Sequence, residues 1–338
     1  MTKGNGALSF EALDHLGTGK AVADAPCPIC GPQCKTPVNQ RRKVLRIWND
    51  GEFITYKCAR CEAAGYAKAD GSKLSRPARP APPTDTKHEK DKAELARYLW
   101  SKSTPIAGSL AETYLRSRGC FIPSESLRFL PARGEHQPAM IARFGTGEIT
   151  GVHLTKLRAD GSGKAGTEND KIIIGPSMGQ PIVVVENDDR EELNVAEGIE
   201  DAASLAIATG WSAWAAGTAN RIAPVVAAAP KSLKVFLASD LDWGKPDVIR
   251  AGPRALRKAI DERPDLVPLH FERALGIKVD ANQAMIRFGA DAIVAVIEWC
   301  EAQTRFSRQE IGFEAMMRAM VRPQEVLAGL LASAGEGE

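Results

Sequence analysis

Nowhere do the 338 residues approach the ~20 consecutive apolar residues of a membrane-spanning helix, which excludes a helical membrane protein. The opening Met1-Thr-Lys-Gly-Asn-Gly lacks the apolar core and cleavage site of a secretory signal. A cytoplasmic location is therefore expected, and with it seven cysteines that are not disulfides. Nor is there a large charge surplus. The 44 Lys and Arg against 42 Asp and Glu leave only +2, so the chain is not a uniformly basic nucleic-acid coat. Gly17-Thr-Gly-Lys20-Ala and Gly161-Ser-Gly-Lys164-Ala lack both the first glycine and the Ser/Thr of a phosphate-binding P-loop. Both read as turns, and a helicase motor is excluded. No internal repeat is visible.

What is present is an ordinary soluble composition, 44% hydrophobic and 25% charged, at twice the usual domain length. Charge is uneven along it. Residues 1–80 hold 13 Lys/Arg against 7 Asp/Glu, and the remainder 31 against 35, a basic head on a mildly acidic body. Between them Ser75-Arg-Pro-Ala-Arg-Pro-Ala-Pro-Pro-Thr-Asp reads as a semi-stiff spacer. The expected division is a zinc-binding domain at 1–70, a Pro-rich linker at 71–92, an α+β intermediate subdomain at 93–188, an α/β domain at 189–288 and C-terminal helices at 289–338.

Apolar spacing predicts two short helices between 91 and 118, strand-rich chain over 127–141, a hairpin over 148–157 and a mobile glycine-rich loop at 160–170. Short apolar strands then alternate with helices: strands at 182–185, 193–196, 212–216, 235–238 and 267–271, helices at 201–209, 220–228 and 247–263. That alternation predicts a parallel α/β sheet. Two further helices are expected at 290–303 and 307–331, the second opened by a capping box of Ser307 and Glu310.

Cys27-Pro-Ile-Cys30 and Cys58-Ala-Arg-Cys61 are two C-x2-C pairs 27 residues apart, in a segment with few apolar residues. Four thiolates in two knuckles suit a closed tetrahedral zinc site, structural in role, in a zinc-ribbon arrangement. Cys34 reads as a spare thiol. Arg41, Arg42, Lys43 and Arg46 lie among Trp48, Phe53 and Tyr56, as on surfaces that hold phosphates and stack bases. The plainer alternative is a solvated face over core aromatics.

In the α/β half one predicted strand runs into Glu197-Gly-Ile-Glu200-Asp201 and a later one into Ser239-Asp240-Leu-Asp242-Trp-Gly244. Carboxyl ends of strands are where open α/β sheets bind ligands. Asp240 and Asp242 alternate to one side, and three converging carboxylates require a cation, Mg²⁺ or Mn²⁺ by ligand hardness.

This Glu-Gly-x-x-Asp followed about forty residues later by Asp-x-Asp-x-Gly resembles the TOPRIM domain of bacterial primases, topoisomerases and some nucleases. Asp280-Ala-Asn282 resembles the third acidic motif of the primase branch. The order of cysteine domain, linker, segment with Gly147-Glu-Ile-Thr-Gly151-Val-His-Leu-Thr-Lys156, then acids, resembles DnaG-type and mobile-element primases over residues 20–300. The resemblance implies RNA primer synthesis on single-stranded DNA from ribonucleoside triphosphates, in a nucleoid, plasmid or phage replication complex. Glu197, Asp240 and Asp242 would bind the metal, with Asp201 and Asp280 as supporting acids. Lys156 and Lys171, with Arg143 and His153, would contact phosphate or template. Solvated surface lysines are the alternative. A separate replicative helicase is the implied partner, for which Phe313, Met316, Met317, Met320 and Val321 offer a docking face unless they pack on their own domain.

A TOPRIM nuclease would use the same acids on water, and a non-catalytic recombination or replication adaptor would only bind DNA. A topoisomerase needs a tyrosine nucleophile, and the four tyrosines, 56, 66, 98 and 114, all precede the α/β half.

Overall fold

The computed structural model describes residues 8–51, 53–69, 86–238, 251–312 and 314–315. Asp240, Asp242, Gly244, the proline run and about two thirds of the predicted helix at 307–331, with Phe313, Met316, Met317, Met320 and Val321, lie outside them. The described residues fall into two compact units, the first holding those from 8 to 69 and the second those from 86 to 238 and from 252 onward.

The first unit opens with α1 (Phe10–Gly17), started by Ser9, whose side chain accepts from the Ala12 amide, and ended by Thr18 in the left-handed conformation. Strands β1 (Val22–Pro26), β2 (Lys43–Asn49), β3 (Phe53–Cys58) and β4 (Ala64–Lys68) form an antiparallel meander, with α2 (Pro37–Arg41) between the first two. Alternation turns Leu45, Ile47, Ile54, Tyr56 and Ala67 inward against Leu13. A core this small stabilises little by itself, and the four paired-motif cysteines complete it.

The second unit begins with α3 (Thr86–Ser101), which starts inside the span predicted as linker. After Pro83 no proline intervenes, and Lys- and Glu-rich chain is good helix former. After β5 (Thr104–Pro105) and α4 (Leu110–Ser117), strands β6 (Leu127–Leu130), β7 (Ala139–Arg143), β8 (Val152–Lys156) and β9 (Lys171–Ile174) complete an antiparallel sheet in the order β5-β6-β7-β8-β9. One face, with Ala139, Ile141, Val152 and Leu154, packs on Ala96, Leu99 and Trp100 of α3. Met140 and Ala142 on the other face join the main core. The glycine-rich loop expected to be mobile is a bonded turn. Leu157 bridges Lys164, the Arg158 amide donates to Gly163 O at 3.0 Å, and the Asp170 carboxylate accepts from the Gly166 and Thr167 amides at 3.0 and 2.8 Å.

The second sheet contains β10 (Ile182–Val185), β11 (Glu192–Ala196), β12 (Ser212–Ala215), β13 (Lys234–Ala238) and β14 (Val267–Leu269), in the order β10-β12-β11-β13-β14. The last four are parallel as expected, while β10 runs antiparallel to β12 and so joins this sheet rather than the preceding subdomain. Helices α5 (Ile199–Thr209), α8 (Phe271–Leu275) and α9 (Ala281–Ser307) belong to the main core, and α6 (Ile222–Ala228) and α7 (Ala251–Glu262) to a second cluster with Leu193, Val195, Val235 and Leu237. Val195 and Ala196 of β11 thus enter different cores, and Asn194 between its apolar residues is buried with its side chain donating to Thr209 Oγ1 at 3.0 Å.

The tail agrees with expectation in part. α9 spans 27 residues from Ala281 and is two helical segments separated at Gly289, where φ is 77° and ψ −174°. The predicted 288/289 boundary coincides with that break and the predicted helix at 290–303 with the second segment, whose Ile293, Val296 and Cys300 are in the main core. The capping box sits at the start of the first segment, with Asp280 and Gln283, and Ser307 closes the second by donating to Thr304 O rather than opening a new helix.

Candidate functional site

Backbone register fixes the acidic end of the second sheet. β11 and β13 are adjacent and parallel with Ala196 opposite Ala238, so the chain leaves both strands at the same edge. Glu197 is the next residue after β11, half-buried, and its carbonyl accepts from the Gly217 amide at 2.9 Å. α5 follows with Gly198 at its N-cap, where a Cβ would lie 3.0 Å from the Asp201 carboxylate. Asp201 accepts from the Asn282 amide at 2.9 Å. Asn282 is 1% exposed and also donates to Arg118 O at 2.8 Å and Ser204 Oγ at 3.0 Å, tying α4, α5 and α9 together. Asp280 comes to this end through Asn282, but its carboxylate takes the Gln283 amide at 2.6 Å as a helix cap.

Two residues the sequence reading passed over dominate the electrostatics here. Glu200 is 6% exposed, and its Oε1 lies 2.8 Å from Lys164 Nζ and accepts from Tyr114 Oη at 2.5 Å. Burial opposes its charge, yet Lys164 and Lys171, with the bonds from Lys164 and Tyr114, hold its carboxyl down at about 2. Burial and then the Glu200 charge push the Tyr114 hydroxyl upward, so it stays a donor. Lys164 belongs to the sequence stretch read as a turn. The turn is there, and it delivers a cation. The missed signal was a glutamate at an otherwise apolar position of α5 together with an unassigned lysine in a glycine-rich stretch.

His153 points to the same side. It is 2% exposed, and a Cβ on Gly217, whose φ is +86°, would lie 3.4 Å from its ring. Burial above all, then Lys171, holds its imidazole down at about 4, and Nδ1 has no hydrogen-bond partner. Lys171 stands opposite Thr155, on the His153 face of the sheet. Arg118, at the C-cap of α4, has a buried Nε without a partner.

Lys156 and Arg143, expected to act with Lys171, lie on the other face. Lys156 lines a cavity of about 1150 Å³ with Tyr98, Lys102, Arg133, Leu154 and Ile172. Arg143 pairs with Val152 in register and donates to the carbonyls of Gly145 and Gly147, which closes the β7–β8 turn. A strand's period of two separates residues 153 and 156, so nearness in sequence did not put them on one face.

In the first unit, Cys27, Cys30, Cys58 and Cys61 bring their sulfurs within 4.8 Å of one another, all buried. Cys27 to Cys61 and Cys30 to Cys58 are each 3.8 Å, and a tetrahedron with metal–sulfur bonds of about 2.3 Å has edges of about 3.8 Å. Burial and the neighbouring thiolates push Cys30 up to about 12, the cost of crowding thiols that a cation removes. Cys34 stands outside the four and accepts from Arg60 Nη1 at 2.9 Å.

Arg41, Arg42 and Lys43 are exposed, but Arg46 is engaged by Asp24 at 2.7 Å. Tyr56 is in the core, 2% exposed, so it is no stacking platform. Alternation gives the outer sheet face to Trp48, Phe53, Lys57 and Tyr66, with Phe53 and Tyr66 stacked at 5.5 Å. Tyr66 thus takes the place expected of Tyr56.

A family described as a domain of unknown function (DUF7146) matches residues 90–184. No curated protein matches the chain. Among solved structures, the chain is similar to the RNA polymerase domain of the primase DnaG of Mycobacterium tuberculosis, at 15% identity and a TM-score of 0.37, over 72% of this chain and 94% of that one. The same domain in complex with double-stranded DNA is matched at 14% identity and a TM-score of 0.37, over 75% of this chain and 98% of that one. Among the described residues no helix is long and apolar enough to cross a membrane.

Proposed function

We propose that the chain is a DNA primase of the TOPRIM type, which synthesises short RNA primers on single-stranded DNA by metal-dependent nucleotidyl transfer. The observation that carries the reading is the parallel register of β11 and β13, whose carboxyl ends Ala196 and Ala238 lie side by side; in sequence Glu197 follows the first, and Asp240 and Asp242 come two and four residues after the second. Lys164, Lys171 and His153, whose Nδ1 has no hydrogen-bond partner among the described residues, supply the complementary side for a polyanionic substrate. In this reading Glu197, Asp240 and Asp242 hold Mg²⁺ or Mn²⁺, and the cation, when bound, neutralises charge on the departing pyrophosphate and activates the primer 3′-hydroxyl. Lys164 and Lys171 draw the triphosphate in, and His153, neutral because it is buried, offers it a hydrogen bond rather than a charge. Asp201 and Asp280 support the acids through Asn282 and the α9 cap.

For the first unit we propose structural Zn²⁺ on the four cysteines, with Arg41, Arg42, Lys43 and the Trp48, Phe53 and Tyr66 face holding the template strand. Lys156 and Arg143 drop out of the nucleotide set in this reading. A separate helicase remains the expected partner for unwinding.

The experiment supplies single-stranded DNA, labelled ribonucleotides and Mg²⁺ or Mn²⁺. Short RNA made by the wild type and lost in Asp240→Ala supports the primase. Cleaved DNA without RNA replaces it with a nuclease, and DNA binding with neither product replaces it with an adaptor.

A further inference from the structure

The turn at 157–166 starts from Leu157, which is buried in the main core and donates its amide to Pro138 O at 2.8 Å, and beyond it meets α4 and α5. At Gly161, with φ of +71°, a Cβ would stand 3.0 Å from Leu110 O and 3.1 Å from Thr113 Cβ, so the turn lies against α4 with no room for a side chain. At Lys164 the ammonium reaches Glu200 on α5 at 2.8 Å. Tyr114, also on α4, bonds the same carboxylate oxygen at 2.5 Å. One buried charge thus joins the turn, α4 and the first turn of α5. A buried carboxylate that loses its counter-ion costs several times what an exposed pair contributes, so Glu200 holds Lys164 far more firmly than a surface acid would. The Lys164 side chain nevertheless keeps 36% exposure, which leaves the ammonium open to an arriving anion. Glu200 is not required to start α5, because Gly198 is the N-cap and Asp201 takes the Asn282 amide.

We propose that Glu200 is a positioning residue that clamps the 157–166 turn onto α4 and α5 and so presets Lys164 for the triphosphate of the incoming nucleotide. The nucleotide half rests on the primase reading above, whereas the clamp itself does not.

The test pairs hydrogen–deuterium exchange of residues 157–170 in the full chain with the KM and kcat for ribonucleotide in primer synthesis. Glu200→Gln and Lys164→Met are expected to speed exchange of this segment about tenfold and to raise KM about tenfold, with kcat within about threefold. Lys164→Arg should restore both. Gly161→Val opens the turn sterically with the ion pair's chemistry intact, and should raise exchange and KM together even if Glu200→Gln does not fold. Unchanged exchange in folded Lys164→Met and Gly161→Val overturns the clamp. Faster exchange with unchanged KM overturns the positioning role. A wild type that makes no RNA removes the primase reading and the nucleotide half, and the exchange result still decides the clamp.

Discussion

At the residue scale the pH response is set by two buried groups of opposite kind. His153 titrates at about 4 in the fold against 6.5 when unfolded, because burial, Lys171, Arg221 and Lys164 outweigh the pull of Glu200. Between those values the unfolded chain takes up a proton that the folded one refuses, so stability falls as pH drops from 6.5 to 4, by about 3 kcal/mol over the window. Glu200 works lower down. Its contribution is complete above 4.5 and is lost as pH falls toward 2. Urea unfolding of the second unit at pH 7 and pH 5 should show a drop that His153→Gln reduces, with His270, whose imidazole is also held down by burial and then by Arg273, supplying the remainder; an equal drop in the variant would refute this assignment. Tyr114→Phe leaves one oxygen of a buried carboxylate short of a donor and should cost about 1–3 kcal/mol by the same measurement. Sequence spacing was enough to find the four thiols, which the fold gathers within 4.8 Å, because C-x2-C is a local pattern. It could not find Glu200 with Lys164 and Tyr114, whose meaning comes from contacts 36 and 86 residues apart in the chain.

At the element scale the alternation of apolar strands and helices was readable, since β11, β12 and β13 put apolar side chains into both cores. What escaped was direction and facing. Nothing in Ile182-Val-Val-Val distinguishes an antiparallel edge strand from a parallel one, and Lys156 and Lys171 read alike until register assigns them to opposite faces. Asp280 shows how a motif residue acquires a second duty. Replacing it with alanine removes the α9 cap and should lower stability by about 1 kcal/mol, measured by thermal or urea unfolding. RNA synthesis should fall only modestly at temperatures where the variant is folded, since its carboxylate is already engaged. Abolished synthesis at full stability would give Asp280 a direct role in the reaction in place of a supporting one. Gly217 carries a positive φ against His153 and Phe144, so Gly217→Ala combines backbone strain with a tight contact and should destabilise the second unit by about 1–3 kcal/mol in the same assay.

At the scale of the whole molecule the near-zero net charge conceals two units of different character. The first has a core of one small sheet, one helix and four thiols, and little else to hold it. Metal removal by a chelator should therefore unfold the first unit while leaving the main unfolding transition of the second unchanged, with circular dichroism and a metal count of one zinc per chain as the readouts. A metal-free first unit that keeps its sheet would contradict the structural role. In the second unit Glu197 follows β11 and Lys164 is bonded to Glu200, an arrangement that the proposed primase reading takes as the acidic and basic sides of its site. The most direct measurement of that claim is incorporation of labelled ribonucleotide on single-stranded DNA by wild type and by Glu197→Gln, each shown to be folded. The account predicts short RNA from the wild type in the presence of Mg²⁺ or Mn²⁺ and a loss of at least about a hundredfold in the variant. Undiminished synthesis by Glu197→Gln, or none by the wild type, would contradict it.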